Sequence, residues 1–200
     1  MSNGVVAVLF ADPIGIYSKI QDIEIWCKDR DGRLYADNKR VVAHPPCQLW
    51  GKFAKINFAR WGGEHNRPGN DGGCFESALA SVKRCGGVLE HPADSYAWSR
   101  YALVRPAGIG WIVAGEREWV CEVWQSAYGH PARKRTWLFY SGQNPPPKLN
   151  WDRPQGTHQI GFHDQRGKAA NKPTISGRAA SATPMEFALA LIKIAKESII

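Results

Sequence analysis

Residues 41–48 read VVAHPPCQ, and this stretch decides how the rest of the sequence is interpreted. Three small apolar residues are typical of the end of a buried strand, whereas two prolines exclude both helix and further sheet pairing. Cys47 is thereby predicted on a stiff turn beyond the carboxyl end of a strand, where open α/β sheets collect ligands and reacting groups. We predict a reactive thiol here. The local sequence leaves open a buried structural cysteine beside a tight turn.

Other apolar runs predict the rest of a sheet. Residues 5–11 read VVAVLFA and stop at Asp12, which is the pattern of a central strand in a parallel sheet. Residues 23–26 predict a second strand. Residues 88–90 predict another, and an amphipathic helix over residues 74–85 precedes it.

These elements predict an α/β fold, a three-layer sandwich with a mainly parallel, Rossmann-like sheet. The strands that end near Ala11, Ala43 and Glu90 are expected to be parallel neighbours, because all three are apolar and helices lie between them.

The chain divides into three predicted segments. Residues 1–142 hold the strands and helices of a catalytic core, and residues 143–182 form a short, basic, proline-containing segment that is expected to recognise the partner. Residues 183–200 predict a closing helix that packs back on the core, with Thr183 as its N-cap and Pro184 as its first residue.

Composition restricts the class of protein. A chain of 200 residues with 44% apolar residues is expected to fold as one globular domain and not to be disordered. The net charge of +8 favours a polyanionic partner, although some enzymes are basic for solubility alone. Five scattered cysteines without a C-x-x-C pair argue for a reducing compartment. No signal peptide or membrane span is expected, which favours the cytoplasm.

The Pro-Pro-Cys-Gln run at 45–48 resembles the catalytic loop of DNA cytosine-5 methyltransferases. Further landmarks of that superfamily follow in order. Glu90-His91-Pro92 stands where the family has Glu-Asn-Val or Glu-Asn-Pro, and Tyr128-Gly129-His130-Pro131 precedes a basic run, as in the family's Tyr-Gly-x-Pro motif. The chain is similar to a compact, divergent member of the type carried by phages and prophages, which implies a bacterial or phage-infected host cell.

The resemblance implies a role for each landmark. Cys47 would attack carbon 6 of a flipped-out cytosine in DNA. Glu90 would protonate or hydrogen-bond N3, because thiolate addition drives negative charge toward that side of the ring. Lys134, with Arg133 or Arg135, would orient the base or the DNA backbone. The implied activity is that of a DNA (cytosine-5-)-methyltransferase-like transferase that modifies carbon 5.

The resemblance also implies S-adenosylmethionine as the methyl donor. Phe10 matches the family's cofactor loop, whereas residues 12–15 depart from its glycine-rich pattern, and only residues 34–40 stand where the family has a further βα unit. An acidic residue after the second strand binds ribose hydroxyls in such folds. The candidate cofactor-binding residues are Phe10, Asp12, Gly15, Asp29, Asp31 and Pro45.

A basic, aromatic segment over residues 49–63 follows the predicted nucleophile. Its composition suits contacts with phosphates and stacking on bases. An amphipathic helix with its aromatic residues in the core is the alternative. The candidate DNA-binding residues are Gln48, Trp50, Lys52, Lys55, His130, Arg166 and Lys168.

Three other functions remain open on the sequence. The fold could serve as a nucleic-acid-binding protein with reduced catalysis, or as a pyrimidine-modifying enzyme that does not use S-adenosylmethionine. A zinc site could form from His44, Cys47, His91 and His130 at strand ends, but their spacing matches no compact zinc motif, so no metal is predicted.

Overall fold

A seven-stranded sheet runs through the protein in the order β2-β1-β3-β4-β7-β6-β5. The computed structural model describes residues 4–51, 53–160 and 172–200. The strands of this sheet are β1 (Val6–Leu9), β2 (Ile23–Trp26), β3 (Val41–Ala43), β4 (Gly87–Pro92), β5 (Ile112–Gly115), β6 (Glu118–Trp124) and β7 (Arg135–Ser141). A separate parallel pair consists of β8 (Gln159–Ile160) and β9 (Thr174–Ile175).

The α/β class is confirmed, but only half of the sheet is parallel. Strands β2, β1, β3 and β4 pair in parallel, whereas β4–β7, β7–β6 and β6–β5 pair antiparallel. The expected mainly parallel sheet therefore stops at β4. Two residues, Glu116 and Arg117, join β5 to β6, and so short a connection can only reverse the chain into a hairpin.

The predicted parallel neighbours are confirmed. Ala7 of β1 lies opposite Val41 of β3, and Val41 lies opposite Gly87 of β4. The side chains of Ala7 and Val41 are fully buried, as apolar runs covered on both faces require. The carboxyl ends of β1, β3 and β4 consequently meet at one edge of the sheet.

Helices cover both faces of the sheet and give three layers. On one face α5 packs against β1, β3 and β4, and on the other α2 packs against β3, β4 and β7. Successive residues of β4 alternate between the two cores, with Val88 in one and Leu89 in the other. The helices are α1 (Ala54–Trp61), α2 (Cys74–Cys85), α3 (Ala97–Arg100), α4 (Gly177–Ser181) and α5 (Met185–Glu197).

The predicted helices α2 and α5 are confirmed. Helix α2 buries its apolar stripe, and α5 buries Phe187, Leu191 and Ile194 against the sheet. Helix α5 begins one residue later than predicted. Pro184 is its N-cap in place of Thr183, and no side chain caps the helix. No helix in the described ranges is long and apolar enough to cross a membrane.

Gly87 fixes the junction between α2 and β4, and its replacement by alanine is expected to destabilise the fold strongly. Its φ is +132°, and an added Cβ would lie 1.9 Å from the carbonyl oxygen of Val41 in the paired strand. Backbone strain and overpacking together should lower the free energy of unfolding by about 3 kcal/mol or more. Urea denaturation measures the loss.

Gly108→Ala provides the matched control, because Gly108 also has a positive φ of +77° but an added Cβ there would meet nothing within 4 Å. It should cost only the strain, about 1 kcal/mol. Equal losses in the two variants would contradict the close approach of Gly87 to Val41.

Candidate active site

Glu90 lies near the carboxyl end of β4 and is the centre of a buried polar cluster. Only 7% of the residue is exposed. One carboxylate oxygen lies 2.9 Å from Nδ1 of His44, which follows β3 directly, and the other accepts a hydrogen bond of 3.1 Å from Nε2 of Gln125. Both oxygens therefore have a partner from a neighbouring part of the sheet.

Hydrogen bonds extend this cluster in both directions. The Tyr17 hydroxyl lies 2.7 Å from Nε2 of His44, and Gln125 also donates to the Thr136 hydroxyl at 2.9 Å. We call Tyr17, His44, Glu90, Gln125 and Thr136 the polar chain. Its members come from the turns after β1, β3 and β6 and from strands β4 and β7.

The carboxyl group of Glu90 is ionised at neutral pH. Burial is the largest single influence and raises its pKa, but the hydrogen bond with His44 and the positive charge of Lys134 outweigh it. The net effect lowers the pKa of Glu90 to about 2. The site thus holds a fixed negative charge at the edge of the parallel strands.

Cys47 lies on the turn after β3 and is half-buried. The backbone N–H of Trp50 donates to the Cys47 carbonyl at 3.0 Å and closes this turn. Burial raises the pKa of the Cys47 thiol, the Glu90 carboxylate raises it further, and Lys134 lowers it. The structure therefore brings together three predicted residues, Cys47, Glu90 and Lys134, close enough for their charges to act on one another.

Lys134 lies in the connection between β6 and β7 and contacts the segment that follows β9. Its Nζ donates to the carbonyl oxygens of Ser181 and Ala182 at 3.0 and 3.1 Å. The same segment reaches the turn after β1, where Arg178 forms an ion pair of 2.7 Å with Asp12. Helix α4 thus bridges the two sides of the candidate site.

The two arginines that were predicted beside Lys134 lie elsewhere. Arg135 donates to Glu122 at 2.7 Å and to Asp94 at 2.8 Å, in an ion-pair cluster on the opposite face of β7 from Thr136. Arg133 lies over the ring of Trp124, with Cζ 5.1 Å from its centroid. Of these three basic residues, Lys134 is the one whose charge acts on Glu90.

Two candidate DNA-binding residues prove to be buried. Trp50 is 1% exposed and donates from its indole N–H to Asp71 at 2.8 Å, which makes it a core residue. His130 is 4% exposed, and its Nδ1 lies 2.8 Å from the Ala132 carbonyl oxygen. The burial of both side chains contradicts their prediction as DNA contacts.

The remaining candidates for DNA binding are exposed or undescribed. Gln48 and Lys55 are exposed. Helix α1, which carries Lys55, also exposes 37% of Phe58 and 67% of Trp61. The alternative, an amphipathic helix with its aromatic side chains in the core, does not describe α1, whose only buried residue is Ala54. Lys52, Arg166 and Lys168 lie outside the described residues.

The acidic residues predicted to bind the cofactor are paired with protein groups. Asp12 accepts from the backbone N–H of Ile14 at 3.0 Å and pairs with Arg178. Asp31 pairs with Arg33 at 2.7 Å, while Asp29 is exposed on the neighbouring turn. The ribose-binding role that the resemblance implies would require these pairs to open.

The other three cofactor candidates form tight turns. Phe10 has a φ of +61°, and its ring packs so closely on Gly32 that an added Cβ there would lie 3.0 Å from it. Gly15 donates its N–H to the Asp12 carbonyl at 2.9 Å, and Pro45 is buried. The ring of Phe10 consequently occupies the space beside the turn that follows β2.

The possible zinc ligands do not converge. No group of three or more histidine, cysteine, aspartate or glutamate side chains in the described part of the chain could hold a metal ion. His91 lies on the opposite face of β4 from Glu90, with its ring 5.1 Å from that of Phe75. Burial lowers the pKa of His91 to about 4, so it is a neutral core residue.

An open cleft of about 440 Å³ does not contain the polar chain. Its lining includes Trp50 and Tyr96 and the exposed residues Arg67 and Arg100. Neither Cys47 nor Glu90 lines it. We place the candidate site at the polar chain because its polar groups are largely buried and mutually hydrogen-bonded.

Comparisons with known proteins found no matching family model, no matching curated protein and no matching solved structure. What the chain does is therefore inferred from its own residues and their geometry. Three members of the polar chain, Tyr17, Gln125 and Thr136, were not candidates on the sequence. The only available signal was that Gln125 and Thr136 are polar residues beside apolar strands.

Proposed function

We propose that this protein is an enzyme that adds the Cys47 thiolate to carbon 6 of a flipped-out pyrimidine in DNA and so activates carbon 5 for modification. One observation carries the proposal. A buried, ionised Glu90 lies at the same sheet edge as Cys47, and Lys134 acts electrostatically on both. This matches the order of residues that resembles the DNA cytosine-5 methyltransferases.

The chemistry needs each of these groups. Attack by sulfur forms the S–C6 bond and moves the π electrons of the ring toward N3, where a proton or a hydrogen bond must receive them. Glu90 is the group at the site that can serve N3. Lys134 favours the thiolate, whose formation burial and Glu90 oppose. The target base must leave its stack, because carbon 6 is shielded inside a duplex.

DNA is the proposed partner. The net charge is +8, and the exposed helix α1 follows the Cys47 turn directly. It presents Lys55 and Arg60 beside the rings of Phe58 and Trp61. Cations neutralise phosphates and aromatic rings stack on unpaired bases, so this surface suits a strand from which a base has been extruded.

S-adenosylmethionine does not fit the described residues in their present arrangement. The carboxylates of Asp12 and Asp31 are held by Arg178 and Arg33, and Phe10 packs on the turn where a nucleoside would lie. The role of S-adenosylmethionine as methyl donor stays a prediction from the resemblance, and a pyrimidine-modifying enzyme with another donor is equally compatible with the polar chain.

Two observations, on the Cys47 thiol and on the cofactor candidates, favour a second candidate function, a nucleic-acid-binding protein of this fold with little catalysis. Cys47 carries a raised pKa, so little thiolate is present at neutral pH, and the cofactor residues are paired within the protein. Such a protein would use α1 and the positive charge but not the polar chain.

Mass spectrometry of nucleosides from the DNA of cells that express the protein distinguishes the two candidates. We expect a pyrimidine nucleoside modified at carbon 5 in cells with the wild-type chain and none in cells with Cys47→Ala. If the purified protein binds DNA but neither strain contains a modified pyrimidine, the binding protein is the correct reading.

A further inference from the structure

The proposed function requires a proton at N3 of the pyrimidine, and Glu90 alone cannot supply it. With a pKa of about 2, Glu90 has no proton of its own to give to N3 at neutral pH. Its nearest hydrogen-bonding partner is Nδ1 of His44, at 2.9 Å. Any proton that reaches N3 through Glu90 must first be held by a neighbour.

We infer that His44 and Tyr17 are positioning residues that hold the proton which Glu90 delivers to N3 of the pyrimidine. The inference rests on the proposed function. His44 would be an imidazolium before attack, with Nδ1–H donating to Glu90 and Nε2–H donating to the Tyr17 oxygen, 2.7 Å away. The Tyr17 hydroxyl is itself a poor proton source, because burial raises its pKa well above the usual value.

The step balances in atoms and charge. Cys47 first loses its thiol proton to solvent. Its sulfur then forms the S–C6 bond, Glu90 passes a proton to N3, and the Nδ1–H bond of His44 breaks as that proton moves to Glu90. Thiolate, imidazolium and carboxylate carry a summed charge of −1 before the step, and the single carboxylate carries −1 after it.

The surroundings limit which other groups could produce the same pH dependence. The titratable or charged groups around His44 and Glu90 are Tyr17, Cys47, His91 and Lys134. Tyr17 stays protonated and His91 stays neutral near neutral pH, because burial shifts their pKa values up and down respectively. Neither of them is therefore expected to change charge near neutral pH.

Exchange of the carbon-5 hydrogen of DNA cytosine with D2O measures this step without any methyl donor. Addition of sulfur at carbon 6 makes carbon 5 nucleophilic, so it takes up a deuteron. Loss of the original C5 proton, of the N3 proton and of the Cys47 thiolate then restores the cytosine ring with deuterium at carbon 5. His44→Asn keeps an N–H that can donate to Glu90 but cannot carry a transferable charge. At pH 7 we expect exchange to be about 10²-fold slower in this variant than in the wild type.

The pH profile separates proton delivery from a structural role. A step that needs both a thiolate and a protonated donor responds less to pH than one that needs the thiolate alone, so the wild-type rate should rise less steeply with pH than the rate of the variant. In His44→Asn only the thiolate matters, so the rate should rise by up to about tenfold per pH unit. Parallel profiles, or an unchanged rate in the variant, would overturn the inference.

Two controls complete the experiment. His65→Asn removes an exposed histidine outside the polar chain and should leave rate and profile unchanged. Tyr17→Phe keeps the ring over His44 but removes the acceptor for Nε2–H, and exchange should slow by about tenfold at pH 7. Absence of exchange in the wild type would reject the proposed function itself, whereas exchange that is insensitive to His44 would reject only this inference.

Discussion

Replacing Cys47 with alanine is expected to abolish covalent capture of DNA that contains 2-pyrimidinone in place of cytosine. This base lacks the amino group at carbon 4, which makes carbon 6 more electrophilic, so the adduct requires no methyl donor. The wild-type chain should form a complex that survives denaturing electrophoresis and adds the mass of one oligonucleotide. A pool of oligonucleotides of random sequence removes the need to know the target site.

Cys74→Ala is the matched control for that experiment. Cys74 is also half-buried, and burial likewise raises the pKa of its thiol, but it begins α2 and has no contact with the polar chain. Its variant should form the adduct at the wild-type rate. Adduct formation that persists in Cys47→Ala, or that is lost in Cys74→Ala, would remove Cys47 from the role of nucleophile.

The parallel half of the sheet could be predicted because its signal is local. The run Val6–Leu9 is buried on both faces, and such strands show uninterrupted apolar sequence. The antiparallel half could not be predicted in the same way. Ile112–Gly115 becomes an edge strand only because a two-residue connection folds it back on β6, and pairing direction depends on that partner.

The candidate site likewise contains residues that could be predicted from local sequence and residues that could not. Cys47 and Glu90 could be found from short motifs, and each lies at the end of a strand that the sequence predicts. Tyr17 and Gln125 could not be found, since their partners His44 and Glu90 are 27 and 35 residues away along the chain. Hydrogen bonds over such separations are set by the packing of the sheet and leave no periodic pattern in the sequence.

Trp50 shows the limit of composition as a guide. An aromatic residue in a basic segment suits a stacking surface, but the same ring is equally suited to a core. Trp50 lies in the core because Asp71 accepts a hydrogen bond from its indole N–H and the ring of Phe75 packs 5.8 Å away. Phe58 and Trp61 in the same segment meet no such partners in the core and stay exposed.

Glu90→Gln is expected to slow carbon-5 hydrogen exchange by about 10²–10⁴-fold, the usual contribution of a general acid or base. Glutamine keeps the shape of the side chain but not its charge. It presents only one acceptor where Glu90 accepts from His44 and Gln125 with two. DNA affinity should not fall, because the residue is buried and removal of a negative charge cannot weaken attraction to phosphates.

Glu122→Gln is the matched control, because Glu122 also has a pKa lowered to about 2. Glu122 lies on the other face of the sheet. Burial raises its pKa, but hydrogen bonds from Arg135, Trp137 and Trp124 lower it by more. Its loss should lower the free energy of unfolding by about 1–3 kcal/mol but leave exchange per folded molecule unchanged. If both variants lose exchange equally, a general loss of structure explains the effect. If only Glu90→Gln loses it, the carboxylate acts on the pyrimidine, because both glutamates are ionised with a pKa of about 2 but Glu122 lies on the opposite face of the sheet from the polar chain.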